Sequence, residues 1–155
     1  MTRSLGRALA LKAIGHLYKP YGTEPKCFYC RCPYPEDLDH VPALSRVMQA
    51  SAREFREMGV PLLLVRACKE CNGALNARPL DTLEKRALFL YRRTQKQFSA
   101  RRLTGEWTPA EILELGPGLR PLIEATAKHK DYLWERLVGL SETICFYDEK
   151  GWPKA

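Results

Sequence analysis

With 155 residues, 45% of them hydrophobic, and no repeat or low-complexity tract, the chain is long enough for one domain with a modest core. No stretch approaches the ~20 apolar residues of a membrane span, and no apolar run with a small-residue cleavage site follows Met1, so a cytoplasmic protein with reduced thiols is expected rather than a membrane or secreted one. The 25 Lys and Arg against 18 Asp and Glu, a formal charge of +7, favour an anionic partner, most often nucleic acid, over a basic protein that meets no polyanion.

Over residues 3–18, Leu5, Leu9, Ala13, Ile14 and Leu17 recur at near-helical spacing and predict a short amphipathic helix, ended by Pro20 and Gly22. Cys27, Cys30, Cys32 and Pro33 form a tight, proline-stopped knuckle. Residues 35–42 hold too much proline for a helix, and Pro42 biases Val41 toward extended backbone, which puts Asp39 and His40 at a strand edge. From Ala43 to Met58, the spacing of Leu44, Val47, Met48, Ala52 and Phe55 predicts one helix, stopped by Gly59. Val60 to Val65 suits a short buried strand running toward Cys68, and a short helix starts near Cys68 and ends before Pro79.

Asp81 as N-cap, with Glu84 three residues on, opens a long helix over 81–104. Leu83, Ala87, Leu90, Tyr91, Thr94 and Phe98 line one side of it. Arg86, Arg92, Arg93, Lys96, Arg101 and Arg102 make the rest basic. Thr108, Pro109 and Glu111 form a strong helix start. Gly116-Pro117-Gly118 breaks that short helix, and a longer one runs from about Leu119 to Leu140. The expected class is α+β, mostly helical, with residues 1–80 as a zinc module carrying an N-terminal helix and residues 81–155 as a basic helical extension.

Four of the six cysteines pair by spacing, Cys27 with Cys30 and Cys68 with Cys71, leaving Cys32 and Cys145. Zinc favours tetrahedral thiolate coordination, and a Cys-x-x-Cys knuckle presents two sulfurs on one side of a turn. The 37 residues between Cys30 and Cys68 exclude a compact zinc ribbon and fit a treble clef, with the first pair on a knuckle and the second opening a helix. Cys32 is an alternative to Cys30, at a less usual spacing. A redox dithiol is the rival reading, weakened because two pairs are present and neither sits in a βαβ pattern. Structural zinc contributes on the order of 10 kcal/mol of apparent binding free energy, comparable to the stability of a whole domain. Residues 23–80 carry little apolar material and are not expected to fold without it.

The order Cys-x-x-Cys, Asp39-His40-Val41-Pro42, then Cys68-x-x-Cys71-Asn72 resembles the HNH endonuclease superfamily, whose ββα-metal core often rides on a treble-clef zinc site. It is similar in motif order to the phage endonuclease VII group. The resemblance covers about residues 25–78. It implies a metal-dependent DNA endonuclease in which His40 is the general base and Asp39 and Asn72 hold one Mg²⁺ or Mn²⁺ ion at the scissile phosphate. Imidazole titrates near neutrality, as a base requires, and carboxylate and amide oxygens suit a hard cation. Asn76, one turn beyond Asn72, is a second candidate ligand. The superfamily's middle position is often Asn, and residues 41–67 contain none.

Arg66, Lys69 and Arg78 flank that expected site, and Arg86, Arg92, Arg93 and Lys96 extend it along a nucleic-acid backbone. Trp107, Trp134 and Trp152 are expected in the core or at an interface, and the apolar faces of residues 108–140 could form a homodimer interface. No organic cofactor and no membrane partner are implied. The alternatives are a non-catalytic treble-clef protein that binds nucleic acid or a protein, with Asp39 capping a turn and His40 at the surface, and an adaptor that docks through its C-terminal helices.

Overall fold

The computed structural model describes residues 2–102 and 106–144, with side chains over 8–100 and 106–144; Leu5, Arg101, Arg102, Cys145 and Trp152 fall outside the described side chains. In chain order the elements are α1 (Thr2–Ile14), a 3-10 turn (Gly15–Leu17), β1 (Lys19–Tyr21), β2 (Asp37–Val41), α2 (Leu44–Ala50), α3 (Ala52–Glu57), β3 (Leu63–Ala67), α4 (Lys69–Leu75), α5 (Leu83–Arg102), α6 (Pro109–Glu114) and α7 (Arg120–Ile144). The fold is α+β and mostly helical. Among the described residues no helix is long and apolar enough to cross a membrane.

The sheet has the order β1-β3-β2, with β1 parallel and β2 antiparallel to β3. Asp39 pairs with Val65 and His40 with Leu64. β2 is therefore an edge strand, as the proline-flanked Asp-His sequence implies. β3 begins at Leu63, later than the apolar run from Val60. Pro61 has no N–H to give a ladder, and the Val60 N–H is already committed to the Phe55 carbonyl at 2.9 Å.

The single helix expected over 43–58 is two helices. Ser51 sits between them at φ 61°, and its hydroxyl accepts the Glu54 N–H at 3.4 Å, capping α3. The break lets Val47 and Phe55 both reach a small core with Tyr18 and Leu62 on one side of the sheet. The cap of α5 also differs from expectation. Thr82 accepts the Lys85 N–H at 3.2 Å, while Asp81 accepts the Arg46 guanidinium at 3.1 and 3.4 Å. At α6 the capping box forms as read, with Thr108 accepting from Glu111 N–H and the Glu111 carboxylate accepting from Thr108 N–H.

The main core joins the knuckles to the later helices. Cys27, Tyr29, Cys71, Val65 and Leu75 pack with Leu83, Ala87 and Leu90 of α5 and Leu140 of α7. Residues 23–80 borrow apolar surface from α5 and α7, which answers the shortage evident in their own composition.

Candidate functional site

The four-cysteine group is assembled from two turns. In the first, Cys27 N–H donates to the Cys32 carbonyl and Arg31 N–H to the Cys27 carbonyl, at 2.9 and 3.0 Å, and Arg31 takes a left-handed φ of 61° to close the knuckle. In the second, Cys68 is the N-cap of α4 and its sulfur accepts the Cys71 N–H. The sulfurs of Cys27, Cys30, Cys68 and Cys71 all lie within 4.8 Å of one another, and the four residues are buried.

Their spacing suits a metal ion. A tetrahedron of Zn–S bonds of about 2.3 Å has edges of roughly 3.8 Å, and Cys30 and Cys68 sulfurs are 3.8 Å apart. That is far beyond a disulfide's ~2.05 Å. Cys32, the alternative ligand, stays outside the group. Without a cation, four sulfurs so close cannot all ionise. Hydrogen bonding from Cys27 holds the Cys68 thiol well below its ordinary value, while Cys27 and its neighbours push Cys71 well above. A divalent cation replaces those shared protons. The four cysteines could hold a metal ion such as zinc.

Asp39 is not where a hard-metal ligand belongs. Alternation along β2 turns it inward, where it is 4% exposed. Its two carboxylate oxygens accept the Arg86 guanidinium at 2.6 and 2.8 Å, and one also accepts the Tyr29 hydroxyl at 2.5 Å. Burial raises the Asp39 carboxyl overall, and the Arg86 charge and the Tyr29 hydrogen bond offset part of that rise. Arginine is charged at any accessible pH, so its buried guanidinium holds Asp39 as its counterion. The same contact corrects the reading of Arg86 as a nucleic-acid contact. It is 1% exposed, and its Nε is spent on the Leu80 carbonyl at 2.8 Å.

Asn72 instead meets Asp37. Its side-chain N–H donates to Asp37 Oδ2 at 3.1 Å, bridging the first turn of α4 to the start of β2. Both residues are half-buried, unlike Asp39. Asp37 was not among the expected residues, although its position two before Asp39 on the same strand face was readable. Asn76, the second candidate, ends α4 at φ 44° and is exposed. His40 lies on the opposite face of β2 from Asp37 and Asp39, half-buried, its ring edge-on to Tyr18 at 4.8 Å between centroids. The expected trio of Asp39, His40 and Asn72 is thus divided among three environments.

The exposed cations group differently from the expectation. Arg78, Arg92, Arg93 and Lys96, joined by Lys85, line an open groove of about 550 Å³ whose apolar surface comes from Leu80, Leu88 and Phe89. Arg78 stacks on the Phe89 ring at 4.6 Å. Lys69 pairs with Glu36 at 2.7 Å, and Arg66 projects from the exposed position of β3. Trp107 and Trp134 are 44% and 57% exposed, so neither is a core residue.

Fold and site together define a small α+β protein with a buried four-cysteine group able to hold a metal. No family model, curated protein or solved structure matches the chain.

Proposed function

We propose that this chain is an HNH-type, metal-dependent DNA endonuclease built on a treble-clef zinc site, with its hard-cation ligands moved from Asp39 to Asp37. The observation that carries the reading is the Asn72–Asp37 contact. It places two oxygen-bearing side chains together, one next to the cysteine group and the other on the strand that bears His40.

The donor set fits a hard cation: a carboxylate and an amide, both half-buried, and an amide that can turn to offer its oxygen. Mg²⁺ or Mn²⁺ held by Asp37 and Asn72 would supply Lewis acidity at a phosphate oxygen. β2 is an edge strand, so a phosphate lying along its free edge can meet side chains from both faces. His40 then takes a proton from the attacking water, and Tyr18 fixes the plane of its ring. The groove of Arg78, Lys85, Arg92, Arg93 and Lys96 holds the flanking strand by charge, with no sequence preference.

The test is nicking of supercoiled plasmid and branched DNA with Mg²⁺ or Mn²⁺. His40→Ala should lower the rate about 10²- to 10⁴-fold, the usual worth of a general base, while the fold stays nearly intact by circular dichroism. Asp37→Ala should lose cleavage and keep DNA binding. Cleavage by His40→Ala at the parental rate would remove the assigned base.

A second reading, a non-catalytic nucleic-acid-binding protein, is favoured by one feature: Asp39, the residue the HNH pattern gives to the metal, is locked to Arg86. Salt-sensitive DNA binding by the parent chain with no nicking in either metal would establish it.

A further inference from the structure

Arg136 lies in the middle of α7 and is 3% exposed. Its guanidinium reaches three of the four sulfurs: one nitrogen is 3.6 Å from Cys30 Sγ and 3.7 Å from Cys68 Sγ, and the other is 3.2 Å from Cys71 Sγ. The first nitrogen also donates to the Tyr132 hydroxyl at 3.2 Å and lies 3.4 Å from the Glu70 carboxylate, to which that hydroxyl in turn donates. Nε is buried with no hydrogen-bond partner among the described residues.

The same stripe of α7 seats the helix on the first knuckle. Gly139 has no Cβ because one would lie 2.2 Å from the Cys30 carbonyl oxygen. One turn further on, the Thr143 hydroxyl is within 2.9 and 3.1 Å of the Tyr29 and Phe28 carbonyls. Residues 136, 139 and 143 therefore grip the segment that carries two of the four sulfurs.

A buried guanidinium demands an anion, and Glu70, with its side chain 47% exposed, is only a partial one. Neutral thiols offer weak acceptors. Four thiolates around a divalent cation carry two net negative charges, and N–H groups aimed at the sulfurs disperse that charge. We propose that Arg136 is the counter-cation of a metal-loaded cysteine cluster, and that α7 stays docked on the knuckles only while the cluster carries that charge. The proposal rests on the cluster holding a metal and is independent of nuclease activity.

The full chain, loaded with zinc, tests it in competition with a chromogenic chelator. Arg136→Gln should bind zinc roughly 10- to 100-fold more weakly, the usual effect of removing a group that hydrogen-bonds metal ligands. Arg136→Lys, which keeps the charge and loses the fork, should fall between. Leu137→Ala removes helix packing without touching a sulfur, and controls for simple loosening of α7. With Co²⁺ in place of zinc, the sulfur-to-metal charge-transfer band should move to lower energy in Arg136→Gln and stay in place in Leu137→Ala. In the parent chain, removing the metal should speed hydrogen exchange at amides 137–144. Parent-like zinc affinity and an unmoved band in both Arg136 variants would overturn the proposal, as would α7 amides equally protected with and without metal. A parent chain that takes up no zinc would overturn the metal reading itself.

Discussion

Cys71→Ser is expected to lose the metal site of the four cysteines and, with it, the fold of the knuckles. Cys71 is fully buried in the main core, and its sulfur belongs to the four-sulfur group. Serine oxygen is a poor substitute for a thiolate at a soft site. A structural zinc contributes on the order of 10 kcal/mol, and a domain this size has only about 5–15 kcal/mol in total. The variant should therefore be largely unfolded at 25 °C by circular dichroism, with no zinc by elemental analysis. Treating the parent chain with a strong chelator should give the same spectrum. Cys32→Ser is the matched control. Its sulfur lies outside the group, so zinc content and melting temperature should both hold. A folded, metal-free Cys71→Ser protein would contradict the assignment of the cluster as the staple.

Arg86→Met is expected to destabilise the protein by about 3–5 kcal/mol, because it strands the Asp39 carboxylate in the core without its counterion. For a chain of this length that corresponds to a fall in melting temperature of roughly 10 °C. Asp39→Leu alone should be about as damaging, leaving a guanidinium buried beside Leu80 and Tyr29. The double variant, Arg86→Met with Asp39→Leu, removes both charges and should regain most of the loss. Urea unfolding of the four proteins measures the cycle. If Arg86→Met lies within about 1 kcal/mol of the parent, the pair is not what joins β2 to α5, and Asp39 returns as a candidate ligand.

Much of the architecture was legible in the chain. Period-3.6 patterning placed α1, α5 and α7, and the Thr108–Glu111 signature placed the start of α6 to the residue. The four cysteines that cluster are the four that spacing selected. What escaped was tertiary. Ser51 broke a helix at a residue whose side chain prefers to cap, a choice settled by where Val47 and Phe55 could find a core. The two arginines buried among the described residues escaped for the same reason. Arg86 falls between Leu83, Ala87 and Leu90, and Arg136 between Leu133, Leu137 and Leu140, each inside an apolar stripe. A cation at such a position points inward and must meet an acceptor: Asp39 for Arg86, and the Cys30, Cys68 and Cys71 sulfurs with Glu70 for Arg136. Reading α5 as a basic face counted Arg86 by its charge and overlooked its angle on the helix. The proposed hard-metal site was less legible still, because adjacent residues on a strand face opposite ways. Asp39 and His40 are neighbours in the sequence and turn to opposite sides of the sheet.

Arg86 and Arg136 are 1% and 3% exposed, whereas the cations of the groove stand in water. Dissolved ions screen the second kind of charge and barely reach the first. If the groove holds a polyanion as proposed, high salt should release it, while the melting curve of the polyanion-free protein stays in place, so that ionic strength acts as a dial for occupancy and leaves architecture alone.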